Sequence, residues 1–239
     1  MERKLDISKK TEAIFGSQVN DFMSFKALLF DLDGTLIDSR DDLADSVNLM
    51  LSELNLANLP SETIYNFICE GVFNLVNRSI SASLQKESEK DFSESAVEVF
   101  RKIYAENCLV KTKIYEGVAE TLDKLGDYQK AVVTNKPHDF SVKILEDLEI
   151  SQHFSLVIGG DSFPERKPSP VPLLSAVEKL GFSFDEALMI GDSWVDIEAG
   201  KNANIKTCGC VFGFRGREEL EKAGADFMIE KFSDLQYLL

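Results

Sequence analysis

The chain reads as an α/β protein: a doubly wound parallel sheet with a second, wholly helical unit set into it. Three observations predict this. Short apolar runs of strand character alternate with helical patterns through the C-terminal half, which calls for parallel strands joined by crossover helices. A lone apolar run over residues 25–30 precedes them. Between that run and the next, helical periodicity continues without interruption, so the intervening segment forms its own unit.

In chain order, strands are expected at residues 25–30, 131–134, 156–158, 187–190, 205–212 and 226–229. Helices are expected at 117–125, 139–148, 170–180, 195–203 and 217–223, giving a Rossmann-like core. In the helical segment, Leu43, Val47, Met50, Leu51 and Leu54 recur at helical spacing, as do Val97, Phe100 and Tyr104. The expected division is a core of residues 25–37 and 112–239 and a helical unit of residues 38–111, with linkers near 37–40 and 109–116. Residues 1–24 read as an N-terminal extension: Ile14, Phe15, Val19 and Phe22 could line one side of a short helix, but the segment is mostly polar. A fold can start at Met23, so the extension is expected to be dispensable.

A chain of 239 residues can bury a substantial core, and 44% hydrophobic content is that of a soluble globular protein. The net charge of −15 argues against nucleic acid and against anionic membrane surfaces, both of which need a basic footprint. There is no apolar run of membrane-spanning length and no signal peptide, so a cytoplasmic location is expected. Cys69, Cys108, Cys208 and Cys210 accordingly read as reduced thiols. Cys208 and Cys210 share an expected strand with no neighbouring Cys or His cluster, which speaks against zinc.

Four sequence blocks sit where expected strands end or the following helix begins, the edge at which open α/β sheets bind ligands. The first is Asp31-Leu32-Asp33-Gly34-Thr35. Its two acids are one residue apart and share a strand face. Holding both at the exit of a buried strand is costly unless a cation or a reaction uses them. The others are Val133-Thr134-Asn135-Lys136, Lys167-Pro168, and Gly191-Asp192-Ser193 followed by Asp196. Carboxylates without a His or Cys companion suit a hard cation, most simply Mg²⁺. A lysine with hydroxyl and amide donors suits a phosphoryl group. Together they point to phosphoryl transfer through an aspartyl-phosphate.

The block from Asp31 to Ser39 resembles the first motif of the haloacid dehalogenase superfamily, and Thr134, Lys167 and the Asp192–Asp196 block resemble its second, third and fourth motifs in order. The resemblance implies a fold of that type and a Mg²⁺-dependent phosphatase acting on a small phosphorylated metabolite. It implies that Asp31 is the nucleophile and that Asp33 protonates the leaving oxygen, then activates water. Asp31, the backbone carbonyl of Asp33, and Asp192 would hold the metal, with Asp196 supporting. Thr134, Asn135 and Lys167 would bind the phosphoryl oxygens, and the helical unit would be a cap that closes over the site.

Asp33 favours phosphate-ester hydrolysis or a phosphomutase, since relatives that dehalogenate or cleave phosphonates lack an acid there. The strings Val133–Pro137, Gly213–Leu220 and Ala223–Asp226 look most like the phosphoglycolate phosphatase branch. A sugar phosphomutase and a non-catalytic phosphometabolite-binding module stay as alternatives, and monomer and homodimer are both open. Candidates for reading the leaving group are Arg40, Gly71, Arg78 and Lys136, with Arg78 also readable as a solvated arginine and Glu70 as a repelling acid if it faces inward.

The remaining polar residues have plainer readings. Asp41, Asp42 and Asp45 read as solvent-facing acids near a helix N-terminus, which Asp38 and Ser39 could cap. Gly34 directly after Asp33, with a strand before it, argues against an EF-hand loop. Trp194 could pack in the core or shield the site, and His138 and His153 read as structural or surface residues.

Overall fold

The structure, a computed structural model, describes residues 25–239; the expectation for residues 1–24 lies outside them. The elements in chain order are β1 (Ala27–Phe30), β2 (Ile37–Asp38), α1 (Arg40–Glu53), α2 (Ser61–Tyr65), α3 (Val72–Leu84), α4 (Lys90–Asn107) and β3 (Lys113–Ile114). There follow α5 (Val118–Lys124), β4 (Gln129–Val133), α6 (His138–Asp147), β5 (Leu156–Ile158), α7 (Val171–Leu180), β6 (Ala187–Gly191), α8 (Trp194–Asn202), β7 (Lys206–Cys210), α9 (Arg217–Ala223), β8 (Phe227–Ile229) and α10 (Leu235–Leu238).

Six of these strands make one sheet in the order β5-β4-β1-β6-β7-β8, parallel throughout. The chain winds outward from β1 in both directions, so the switch point lies at the carboxyl end of β1, flanked by β4 and β6. Alternate residues serve opposite faces. Leu28, Phe30, Val132, Leu188 and Ile190 pack on one side, and Ala27, Leu29, Ala131, Val133 and Met189 on the other. All four residues of β1 are fully buried, each large side chain contributing roughly 1.5–3 kcal/mol.

Between β2 and β3 the chain is helical, carrying α1 to α4. Their apolar faces do not form a separate core. Met50, Ile64, Val76 and Phe100 belong to the same contiguous cluster as Leu28 and Phe30 of the sheet. The insert is thus seated on the sheet edge by continuous apolar packing.

Where the insert joins the core, Ile37 pairs with Ile114 and Asp38 with Lys113 in a short antiparallel ribbon, β2-β3. Two expectations are corrected. Asp42 does not face solvent. It is 1% exposed, and its carboxylate accepts the backbone N–H groups of Lys111 and Thr112 and the Thr112 hydroxyl. The reason is position: α1 starts directly at the ribbon, so the side of its first turn that carries Asp42 meets the returning linker, whose unpaired N–H groups need an acceptor. Ser39 is the N-cap residue of α1 but makes no capping bond, its hydroxyl being spent on Asp33 instead.

Trp194 is 37% exposed, which excludes the core-packing reading. His138 is exposed, and the His153 ring lies 3.7 Å from Asp123 in a 3₁₀ turn. Cys208 and Cys210 are free thiols in the core. Among the described residues, no helix is long and apolar enough to cross a membrane.

Candidate active site

β1 ends at Phe30, and its continuation delivers Asp31 to the switch point. The Asp31 N–H donates to the carbonyl of Ile190 on β6, so the backbone stays tied to the sheet while the carboxyl leaves it. The chain then turns at Gly34, whose φ of +85° suits glycine. A side chain at Gly34 would overlap the carboxylate of Asp192. The first and fourth motifs therefore touch only because that position has no Cβ.

Asp31, Asp192 and Asp196 are all buried, and one carboxylate oxygen of each lies within 4.8 Å of the others. Lys167 enters the cluster with its Nζ 2.6 Å from Asp196 Oδ1 and 3.0 Å from Asp31 Oδ1, the latter an ion pair without hydrogen-bond angles. One ammonium among three carboxylates leaves negative charge uncompensated in a dry setting. Burial, only partly offset by Lys167, pushes the Asp31 carboxyl up to about 6, with Asp196 and Asp33 adding to the rise. Burial, then repulsion from Asp196 and Asp31, pushes Asp192 well above the usual carboxylate range. Burial alone would lower the Lys167 pKa, but Asp196 and Asp31 outweigh it and hold the ammonium protonated.

The bonding of the three acids separates them. Asp196 is satisfied: Oδ1 takes Lys167, and Oδ2 takes the N–H and hydroxyl of Ser193 in a capping box at the start of α8. Asp192 Oδ2 accepts the Phe214 N–H at 2.6 Å, while its Oδ1 is buried without a donor. Asp31 Oδ1 likewise receives no hydrogen bond. Asp192 Oδ1 is buried without a donor and Asp31 Oδ1 is held only by the Lys167 ion pair, so both keep lone pairs for a cation, and an all-oxygen set fits a hard divalent metal.

Asp33, two residues on from Asp31, faces a different set. Ser39 Oγ donates to its Oδ1 at 2.5 Å, and Lys136 Nζ donates to Oδ1 and Oδ2 at 2.9 and 3.1 Å. Both acids line a cavity of about 50 Å³ between the sheet edge and the insert, together with Thr134, Asn135, Lys136 and Gly71. Most of the remaining wall is apolar, from Leu43, Val72, Leu75 and Phe100.

The structure thus brings together Asp31, Asp33, Thr134, Asn135, Lys136, Lys167, Asp192, Asp196 and Gly71. It does not bring in two of the proposed arginines. Arg40 forms a bidentate pair with Asp38 and lies over the rings of Tyr65 and Phe214. Arg78 pairs with Glu70 at 2.7 Å, so neither acts as a free charge in the cavity. The side-chain amide of Asn135 donates to the carbonyls of Cys69 and Lys167, clasping the insert to the third motif. Sequence reasoning missed Tyr104, whose hydroxyl accepts from Lys136, and Arg215, which donates to the carbonyls of Asn66 and Ile68 of the insert. Tyr104 was visible only as one more apolar-face residue of a helix.

Comparison with known proteins agrees with this geometry. The family model for haloacid dehalogenase-like hydrolases matches residues 28–210. The chain is 41% identical over 216 residues to a phosphoglycolate phosphatase of Aquifex aeolicus, covering 90% of this chain and 96% of that one. It is 40% identical over 223 residues to a phosphoglycolate phosphatase of Psychrobacter arcticus, covering 91% and 97%. A crystal structure described as a predicted phosphoglycolate phosphatase from Haemophilus somnus superposes with a TM-score of 0.83 at 33% identity, covering 90% of this chain and 98% of that one. With four motifs converging on one sheet edge and that family matched across most of its length, the chain belongs to the haloacid dehalogenase-like hydrolases and is a phosphatase among them.

Proposed function

We propose that the protein hydrolyses a small phosphate monoester, 2-phosphoglycolate first among the candidates, by way of a phosphoryl group carried on Asp31. One observation carries the reading: Asp31 is buried between Lys167 and Asp192, one of its oxygens held only by the Lys167 ion pair, and lines the same cavity as Asp33. The names of the relatives favour 2-phosphoglycolate as the substrate.

In this reading Asp31 attacks phosphorus while the P–O bond to the alcohol breaks, its electron pair leaving with that oxygen. Asp33 gives a proton to the leaving oxygen, then takes one from the water that attacks the phosphorus of the aspartyl-phosphate, and Asp31 is regenerated with inorganic phosphate. Lys167 and the Thr134 hydroxyl, with the backbone N–H of Asn135, hold the phosphoryl oxygens and offset their charge. Asp31 and Asp192, with the backbone carbonyl of Asp33, would hold Mg²⁺, and Asp196 would support them through Lys167 and Ser193. Bound there, the cation would neutralise the carboxylates and the phosphoryl oxygens. The helical insert acts as a cap that excludes bulk water.

The test is phosphate release from a panel of monoesters with and without Mg²⁺, including 2-phosphoglycolate, sugar phosphates, nucleotides and pyrophosphate. Release that is greatest from 2-phosphoglycolate, needs Mg²⁺ and vanishes in Asp31→Asn is expected. Preference for a nucleotide or hexose phosphate would overturn the substrate, and residual activity in Asp31→Asn would overturn the nucleophile.

A further inference from the structure

We propose that Tyr104 is a positioning residue for the proton transfers of Asp33, acting through Lys136, so that the proton donor is correctly set only while the helical insert is seated on the sheet. The inference rests on the assignment of Asp33 above and extends it to a residue of the helical insert that lines the same cavity.

Lys136 Nζ has three hydrogens and all are spent: on Asp33 Oδ1 at 2.9 Å, on Asp33 Oδ2 at 3.1 Å, and on the Tyr104 hydroxyl oxygen at 2.7 Å. The side chain is 3% exposed, so little bulk solvent competes for these bonds. A lysine has a flexible stem and a point charge, and two contacts to one carboxylate leave it free to swing about that carboxylate. The third contact removes this freedom and fixes the line from Lys136 to Asp33.

That third contact comes from the insert. Tyr104 lies on α4, whereas Asp33 follows β1 and Lys136 follows β4, so the bond spans the two parts of the molecule. The ring is held rigidly, stacked on Phe100 at 5.4 Å and edge-on to Phe140 of α6 at 5.1 Å. Packing alone would be served by phenylalanine; the hydroxyl adds a polar atom to an apolar cluster, and its one described partner is Lys136. The other support of Asp33 is Ser39, which precedes α1 directly. The Ser39 bond to Asp33 and the third anchor of Lys136 therefore both depend on where the insert sits. If the insert lifted, Tyr104 would leave and Lys136 would lose its third anchor, so protonation of the leaving oxygen would be coupled to closure.

The experiment compares two small substrates with different needs for a proton. In 2-phosphoglycolate the leaving group is a strongly basic alkoxide, which departs with a proton from Asp33. In acetyl phosphate it is acetate, a weak base that departs unprotonated. For both, kcat/KM reports the steps through transfer of the phosphoryl group to Asp31. Tyr104→Phe keeps the ring and removes the oxygen. Its kcat/KM for 2-phosphoglycolate is expected to fall about 10-fold, a fraction of the ~10²–10⁴ that general acid catalysis supplies. The loss on acetyl phosphate is expected to be at least about 3-fold smaller than that, because no proton is delivered there.

Lys136→Met should show the same leaving-group selectivity, and adding Tyr104→Phe to it should cost nothing further, because the two act in series. Equal losses on both substrates, or additive losses in the double variant, would overturn the proposal and leave Tyr104 a packing residue. Should Tyr104→Phe fail to fold, Lys136→Gln reads the same selectivity from the other end of the bond, and an unselective loss there counts against it. A wild-type protein that releases phosphate from neither substrate in Mg²⁺ overturns the proposed function itself. If only 2-phosphoglycolate is refused, the comparison is made with whichever alkyl ester the panel identifies.

Discussion

Lys167 Nζ lies 2.6 Å from Asp196 Oδ1, with both side chains sealed from solvent at 2% and 1% exposure. The same ammonium is the only cation paired with Asp31 among the described residues. Its removal would leave three buried acids facing one another. Breaking a buried pair by deleting one partner costs about 3–5 kcal/mol. Lys167→Met is therefore expected to lower Tm by roughly 10 °C in metal-free buffer, at ~2–4 °C per kcal/mol for a chain of this size. Calorimetry checks it; an unchanged Tm would mean that the lysine is not compensating the cluster. Phosphate release should fall at least ~10²-fold in the same protein, since a donor to the phosphoryl oxygens is gone.

Asp42 offers a test far from the chemistry. Its buried carboxylate accepts three donors from Lys111 and Thr112 and closes the hinge at which the chain leaves the insert. Asp42→Ala strands those donors in a buried place, at a cost of about 3 kcal/mol. Urea unfolding should show a lower midpoint, with Asp42→Asn between the two because it keeps one acceptor oxygen. Equal midpoints for Asp42→Ala and wild type would remove the hinge role.

Gly34 should be equally intolerant. Its φ of +85° and its contact with the Asp192 carboxylate exclude a side chain. Gly34→Ala is expected to destabilise by about 1–3 kcal/mol, a usual cost for such strain. It should also weaken divalent-metal binding by about 10–100-fold, because the carboxylate must move. Isothermal titration with Mg²⁺ measures the second effect, and unchanged affinity would show that the cluster tolerates the shift.

Much of this site could be read in the sequence because it is local. Asp31 and Asp33 are set by their places just after β1, and Thr134, Lys167 and Asp192 by theirs after β4, after β5 and just past β6. Each pattern is contained within a few residues. What escaped depends on packing between distant segments. Asp42 differs from Asp41 and Asp45 only in which side of α1 meets the returning linker, and no local pattern encodes that. The two-residue strands β2 and β3 are too short to carry a period. Arg40 and Arg78 looked free because their partners, Asp38 and Glu70, are themselves exposed acids in sequence terms. Tyr104 fits an apolar helix face, and only the fold places its hydroxyl on Lys136.

Metal should stabilise the protein in a pH-dependent way. Burial and mutual repulsion raise the folded-state pKa of Asp31 to about 6 and that of Asp192 well above normal. An unfolded aspartate titrates near ~3.9. Since the folded state binds these protons more tightly, metal-free stability is highest below about pH 4 as far as these two groups are concerned. It declines as pH rises through the unfolded value toward the folded ones, Asp31 completing its share just above 6. A divalent cation favours the ionised carboxylates and cancels that loss. At one hundred times its Kd it adds about 2.7 kcal/mol, or roughly 5–10 °C in Tm. The shift induced by Mg²⁺ should therefore be larger at pH 7 than at pH 5. Asp192→Asn should behave oppositely: it removes one buried charge, so the metal-free variant melts at or above wild type at pH 7, yet gains little from Mg²⁺. A variant that melts well below wild type without metal, or that keeps the full Mg²⁺ shift, would show that Asp192 is held for its bond to Phe214 and not for a cation.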